Sequence, residues 1–225
     1  MGRARKKSLL GDITGKVGGL VYTDMRGTKV VKKMPSPPKK GKKTREQAEQ
    51  RAVFKCAERF LRGVGYDAVR LGYQLPKSTG MSEANAAMQH LMLEAVTGEY
   101  PDYSINFSKV KMSDPLRETE ACWNASCVAG DGLTIEVTWE KNPYPEKTTR
   151  LDDNAAIVFF NETWRRNIYR EMHSRVTVPR SALKWTLQAA PRFLGHHIHC
   201  WIFFVSADGK RVSQSEYLGI VTLKE

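Results

Sequence analysis

Leu133-Thr134-Ile135-Glu136-Val137-Thr138-Trp139-Glu140 alternates apolar with polar side chains over its whole length. A β-strand sends successive side chains to opposite faces, so this stretch predicts a strand with one buried and one wet face. Working outward, Ala155 to Phe160, Arg175 to Val178, Trp185 to Ala189, Ile198 to Val205 and Tyr217 to Leu223 are further strand candidates. Asp208-Gly209 is a strong hairpin turn between the last two. About seven strands in roughly 105 residues, with turns between them, predict an antiparallel β-sandwich of immunoglobulin-like type. Ser104 to Phe107 and Val110 to Met112 read as short strands just before it.

Upstream of Tyr103 the apolar period lengthens from 2 to 3.6. Phe54, Ala57, Leu61 and Val64, with Phe60 beside them, make one apolar helical face. Thr44 and Gln47 fit a capping box at its start, and Gly63 and Gly65 suit its end. Shorter helices are predicted over Tyr66 to Leu75 and over Ser82 to Val96, the second stopped by Gly98. Met81, Met88 and Met92 read as core packing. The fold class is therefore α+β. A basic arm with a β-hairpin and Pro/Lys linker (1–43) precedes a helical region with short strands (44–113) and the β-sandwich (114–225), with a break near Ser113-Asp114-Pro115.

The first of these segments carries the charge. With fourteen Lys or Arg against Asp12 and Asp24, residues 1–45 account for the whole net charge of +12, and the remaining bases and acids balance. Residues 1–16 read as an extended arm. Val17, Leu20 to Tyr22 and Val30-Val31 supply a hairpin turning at Arg26-Gly27. Pro35-Ser36-Pro37-Pro38 is stiff and extended, and Lys39-Lys40-Gly41-Lys42-Lys43 follows it. A basic arm on a neutral body is suited to gripping an anionic partner or docking into a larger assembly.

Catalytic and metal signatures fare worse. Gly11, Gly15 and Lys16 look like a phosphate loop, but the glycine spacing is one residue short and Val17 stands where Ser or Thr would hold magnesium. Gly15, Gly18 and Gly19 read instead as conformational, letting the arm bend or a backbone approach. His197 and His199 share a strand face and His196 and Cys200 the other, which is half a tetrahedral site at most. The pair reads as lying on the wet face of a strand, and no metal is predicted. Cys122 and Cys127 are an odd number apart and face opposite sides unless the strand is bulged. The four cysteines read as reduced thiols. No nucleophile, general base or cofactor motif can be named, so no enzyme activity and no cofactor are expected. No stretch has the length of a secretory apolar core or a membrane span, which points to the cytoplasm or a particle assembled there.

Several segments also resemble a known family. They include Gly15-Lys16-Val17-Gly18-Gly19-Leu20-Val21, Arg26-Gly27, Lys33-Met34-Pro35, Lys43-Thr44-Arg45-Glu46-Gln47 and Gln50-Arg51-Ala52-Val53-Phe54. Tyr100-Pro101-Asp102-Tyr103, Phe204 to Lys210, Val212-Ser213, Ser215 and Tyr217-Leu218-Gly219 complete the pattern. Together they resemble an uncharacterised bacterial family catalogued as a domain of unknown function. Lys33 stands where that family usually has Arg, and Arg45 where it has Pro. The resemblance implies architecture: a helical N-terminal part, a β-sandwich end and no catalytic residues to carry over.

The expected function is that of a non-enzymatic structural binding protein. Its Arg3, Arg5, Lys6, Lys7, Lys16, Lys39, Lys40, Lys42 and Lys43 would contact the phosphates of nucleic acid, largely without regard to sequence. Tyr22, the one aromatic among these charges, could stack on a base or serve the hairpin face. The alternative is a subunit of a large phage-like or injection-type assembly, the arm wrapping a neighbouring protein subunit and its strands adding to a sheet edge. A second alternative is an immunoglobulin-like adhesion module. No membrane partner is expected, and homo-oligomerisation is left open.

Overall fold

The computed structural model describes residues 14–25, 28–36, 44–76, 80–167 and 178–224. The chain divides into two compact units, one of residues 1–44 with 77–80, the other of residues 45–76 with 81–225. The architecture is mixed α+β, with several antiparallel sheets.

In the first unit β1 (Gly15–Val17), β2 (Leu20–Met25) and β3 (Thr28–Lys33) form a sheet in that order. Gly18 and Gly19 join β1 to β2 with φ of 55° and 81°. A two-residue hairpin turn of type I′ needs this left-handed backbone at both central positions, and glycine adopts it without a Cβ clash. The predicted hairpin is thus present, and the glycines add a third strand to it. The turn proposed at Arg26-Gly27 lies outside the described residues, between the paired Met25 and Thr28. None of the described side chains in this sheet is buried.

The second unit opens with α1 (Arg45–Val64), α2 (Tyr66–Gly72) and α3 (Glu83–His90). Ser82 caps α3, its hydroxyl accepting from the Asn85 N–H at 3.2 Å, and a π-helical turn over Leu91–Ala95 extends it. Ala57, Phe60, Leu61 and Val64 are buried as predicted, but Phe54 is 49 % exposed. At about 100° per residue, Phe54 falls at the edge of the arc the other four define. Gly98 does not simply stop the helix: it belongs to β4 (Val96–Glu99), paired with β5 (Asp102–Ile105). Val110 and Met112 are buried without belonging to a strand, so their alternation reflects side-chain burial and not ladder pairing.

The remaining strands are β6 (Trp123–Gly130), β7 (Thr134–Glu140), β8 (Asn154–Asn161), β9 (Arg166–Asn167), β10 (Val178–Pro179), β11 (Lys184–Gln188), β12 (His197–Val205) and β13 (Glu216–Thr222). One sheet runs β10-β8-β12-β13, with β9 also on β8, and another runs β11-β7-β6. Most of the Arg175 to Val178 candidate lies outside the described residues, and Val178 begins β10.

The central strand β12 explains the longest apolar run of the chain. Trp201, Phe203 and Val205 enter a core shared with α1 to α3, while Cys200, Ile202 and Phe204 enter a second core shared with β7 and β11. Its neighbour β8 divides the same way, with Ala156, Val158 and Phe160 on one side and Ala155 and Phe159 on the other. A strand covered on both faces has no wet side, so its sequence reads as continuous hydrophobicity and not as alternation. On β7, by contrast, Ile135, Val137 and Trp139 are buried and the residues between them are not. Among the described residues no helix is long and apolar enough to cross a membrane.

Candidate nucleic-acid interface

Of the predicted phosphate contacts, Lys16 is the one within the described residues. Arg3, Arg5, Lys6, Lys7, Lys39, Lys40, Lys42 and Lys43 lie outside them. Lys16 is exposed on β1 and pairs across to Val21, which pairs in turn with Lys32. Residues directly opposite in antiparallel strands share a face, so Lys16 and Lys32 project from the same side two strands apart, roughly 10 Å. The other face carries Val17, Leu20 and Lys33 in one row and Gly15, Tyr22 and Val31 in the next. Tyr22 is half-buried in that row. Val17, Leu20 and Val31 are exposed as well.

Sequence reasoning did not put Lys32 in the site. Its place beside Lys16 follows from two registers, β1–β2 across the Gly18-Gly19 turn and β2–β3 across Met25 and Thr28. The signal was there in the two adjacent glycines, read as flexibility and not as a hairpin.

The second unit gathers its polar groups into structural clusters. His199 is buried, not on a wet face as predicted. Its Nδ1 lies 2.7 Å from the Tyr217 hydroxyl, its Nε2 lies 3.3 Å from Glu162 Oε2, and the Phe107 ring stacks on it at 3.7 Å. Burial pushes its imidazole below the usual histidine range, against the opposing pull of Glu162. His197 is exposed beside the Thr222 hydroxyl at 3.0 Å, and His196 meets the Asn161 amide at 2.8 Å. The three histidines therefore diverge, and among the described residues no group of three His, Cys, Asp or Glu side chains is placed to hold a metal.

Cys122 and Cys127 both pack on the second core, although their spacing predicts opposite faces. The ladder register shifts between Trp123 and Ser126, which is the bulge that this outcome requires. All four thiols are free, and burial raises the Cys200 thiol well above its ordinary range.

Arg180 is the most heavily used charge in this unit. It lies 3.7 Å from both Glu120 and Asp153, donates to the backbone carbonyls of Glu120 and Ala121, and sits 3.7 Å above the Phe204 ring. Asn142 and Thr149 donate to the Glu120 carboxylate, and Thr119 donates to Asp153 at 3.0 Å. This cluster ties the segments before β6, β8 and β11 together.

A mixed α+β body and a small basic sheet with no buried described side chain thus define a two-unit protein whose charge is segregated. The chain belongs to a family of unknown function (DUF6266), whose family model matches residues 12–219, in keeping with the resemblance noted in the sequence. The match takes in the sheet β1–β3 and begins after Arg3, Arg5, Lys6 and Lys7. Comparison with curated proteins gives no match.

Proposed function

We propose that this chain is a non-enzymatic structural binding protein whose basic N-terminal segment engages nucleic acid largely independently of sequence. The observation that carries this reading is the confinement of the whole net charge of +12 to residues 1–45. Cations that neutralise phosphates release condensed counterions and need no fixed geometry, which suits an arm better than a pocket. Lys16 and Lys32 on one face of the sheet fit a surface that follows a phosphate backbone.

In this reading the second unit is a docking or spacing body. The strand order β10-β8-β12-β13 opposite β11-β7-β6 supports taking it as an immunoglobulin-like sandwich. The site of action is the cytoplasm or a particle assembled there.

The test replaces Arg3, Arg5, Lys6, Lys7, Lys16, Lys39, Lys40, Lys42 and Lys43 by Gln and follows binding to a mixed-sequence DNA duplex by fluorescence anisotropy. Affinity should drop at least ~100-fold at low salt; an unchanged affinity sinks the proposal.

One observation favours a second reading, a subunit of a larger assembly. Among the described strands β1 and β3 each pair on one side only, and Val17 on β1, Leu20 on β2 and Val31 on β3 are exposed. An unpaired, partly apolar edge is a template for a neighbour's strand. Light scattering after nuclease treatment separates the two: a mass that collapses to the monomer supports nucleic acid, and a persistent multimer supports the assembly.

A further inference from the structure

The second unit holds a pocket that the charge of the N-terminal segment does not explain. Its volume is about 910 Å³, and it is lined by α1, β5 and the turn between β8 and β9. Phe60, Phe107 and Phe160 contribute its apolar lining, their ring centroids 4.9 to 6.0 Å apart. Phe60 and Phe160 are core residues that form the pocket floor, and Phe107, Ile105 and Tyr100 add the more accessible apolar surface.

The cations of the pocket gather on its exposed side. Lys55 and Arg59 lie one turn apart on α1, and Arg165 comes from the β8–β9 turn. All three are exposed, and among the described residues none of them forms an ion pair with a carboxylate. One acid, Glu162, also lines the pocket; it lies 3.3 Å from His199 Nε2 and brings one negative charge.

The approach of Arg165 to α1 is built into the backbone. Its own φ of 52° is left-handed, and its carbonyl oxygen occupies the space a Cβ on Gly63 would fill. Glycine at that position of α1 is what lets the turn close on the helix and bring a second guanidinium near Arg59. The Cys56 thiol in the wall feels both: burial raises it, and the charges of Arg59 and Arg165 act against that rise.

Lys55, Arg59 and Arg165 outnumber the single lining carboxylate, Glu162, so the pocket is net positive and favours an anion. We propose that this pocket binds a small amphipathic organic anion. Its charged group lies against Arg59, Arg165 and Lys55, and its apolar body against Phe60, Phe107 and Phe160. The site is separate from the N-terminal segment and does not depend on nucleic-acid binding.

The experiment is a calorimetric titration of the full chain with 2-naphthoate, 2-naphthyl phosphate and decanoate, and with neutral 2-naphthalenemethanol as the uncharged control. At least one anion should bind below ~1 mM and about tenfold or more tighter than the alcohol. The two aromatic anions distinguish carboxylate from phosphate, and decanoate distinguishes a chain from a ring. Arg59→Gln with Arg165→Gln should weaken that anion about tenfold, and Ala52→Phe, which fills the pocket from α1, should abolish binding. Lys55→Gln, a change at an exposed position that leaves the fold intact, should weaken it several-fold. Neutralising the N-terminal bases should leave it unchanged, which separates this site from that segment. Equal binding of anion and alcohol overturns the proposal. So does full affinity after loss of Arg59 and Arg165 or of Lys55, and so does the failure of all three anions to bind below ~1 mM.

Discussion

Arg180 shows how one side chain can hold a loop-rich region in place. It is 8 % exposed, as is Glu120, and Asp153 is buried still deeper. Removing one member of such a cluster leaves the others charged and unpaired, which costs more than the pair contributes. Arg180→Ala is therefore expected to lower unfolding free energy by about 3–5 kcal/mol, read from urea denaturation. A loss below ~1 kcal/mol would mean that water replaces the guanidinium.

His199 gives the second residue-scale prediction. Its folded imidazole titrates below the ordinary value of about 6.5, because burial disfavours the cation more than Glu162 favours it. As pH falls through the ordinary range, the unfolded chain takes up a proton that the folded chain refuses. Stability should then be flat above about pH 7 and decline below it. The groups facing His199 are Glu162, Tyr217 and the Phe107 ring, with the His197 charge nearby. His199→Gln should flatten the decline between about pH 7 and 5 in melting curves; an unchanged slope would assign it to other histidines.

Among the elements, α1 carries a sign reversal that can be measured. Replacing glycine by alanine within a helix usually stabilises by about 1 kcal/mol. At Gly63 the new methyl would collide with the Arg165 carbonyl and approach the Phe160 ring at 2.9 Å. Gly63→Ala is expected to destabilise by about 1–3 kcal/mol instead, measured by chemical denaturation. The same substitution at Gly65, where nothing lies within 4 Å but φ is 96°, is costly for backbone reasons alone.

Much of the element pattern was legible in the residues, and what was not has physical causes. The alternation along β7 and the apolar run of β12 each located a strand. That β12 faces two cores could not be read from it alone, because a doubly covered strand and a buried helix turn look alike in a short apolar run. Strand β6 was missed: Asn124-Ala125-Ser126-Cys127 has few strand formers, and the register shift breaks its period. Phe54 was misassigned because helical spacing gives a face but not its edges. Within the candidate interface, Lys16 was legible from charge, whereas Lys32 needed the cross-strand register. The pocket beside α1 was not legible at all, since it joins Arg59 to Arg165 through a backbone contact at Gly63.

At the scale of the whole molecule the decisive property is where the charge sits. The second unit has two well-filled cores, while the sheet of the first has no buried described residue. A sheet of three short strands gains little stability without a covered apolar face. Lys16, Lys29, Lys32, Lys33 and Arg45 are the described part of a larger cationic segment, and its proposed partner is a polyphosphate. The most direct measurement is the affinity of the full chain for a DNA duplex across a series of salt concentrations. Each phosphate neutralised contributes about −0.9 to the slope of log affinity against log salt, so engagement of most of the nine named bases predicts a slope of about −5 or steeper. A slope near zero would contradict the account.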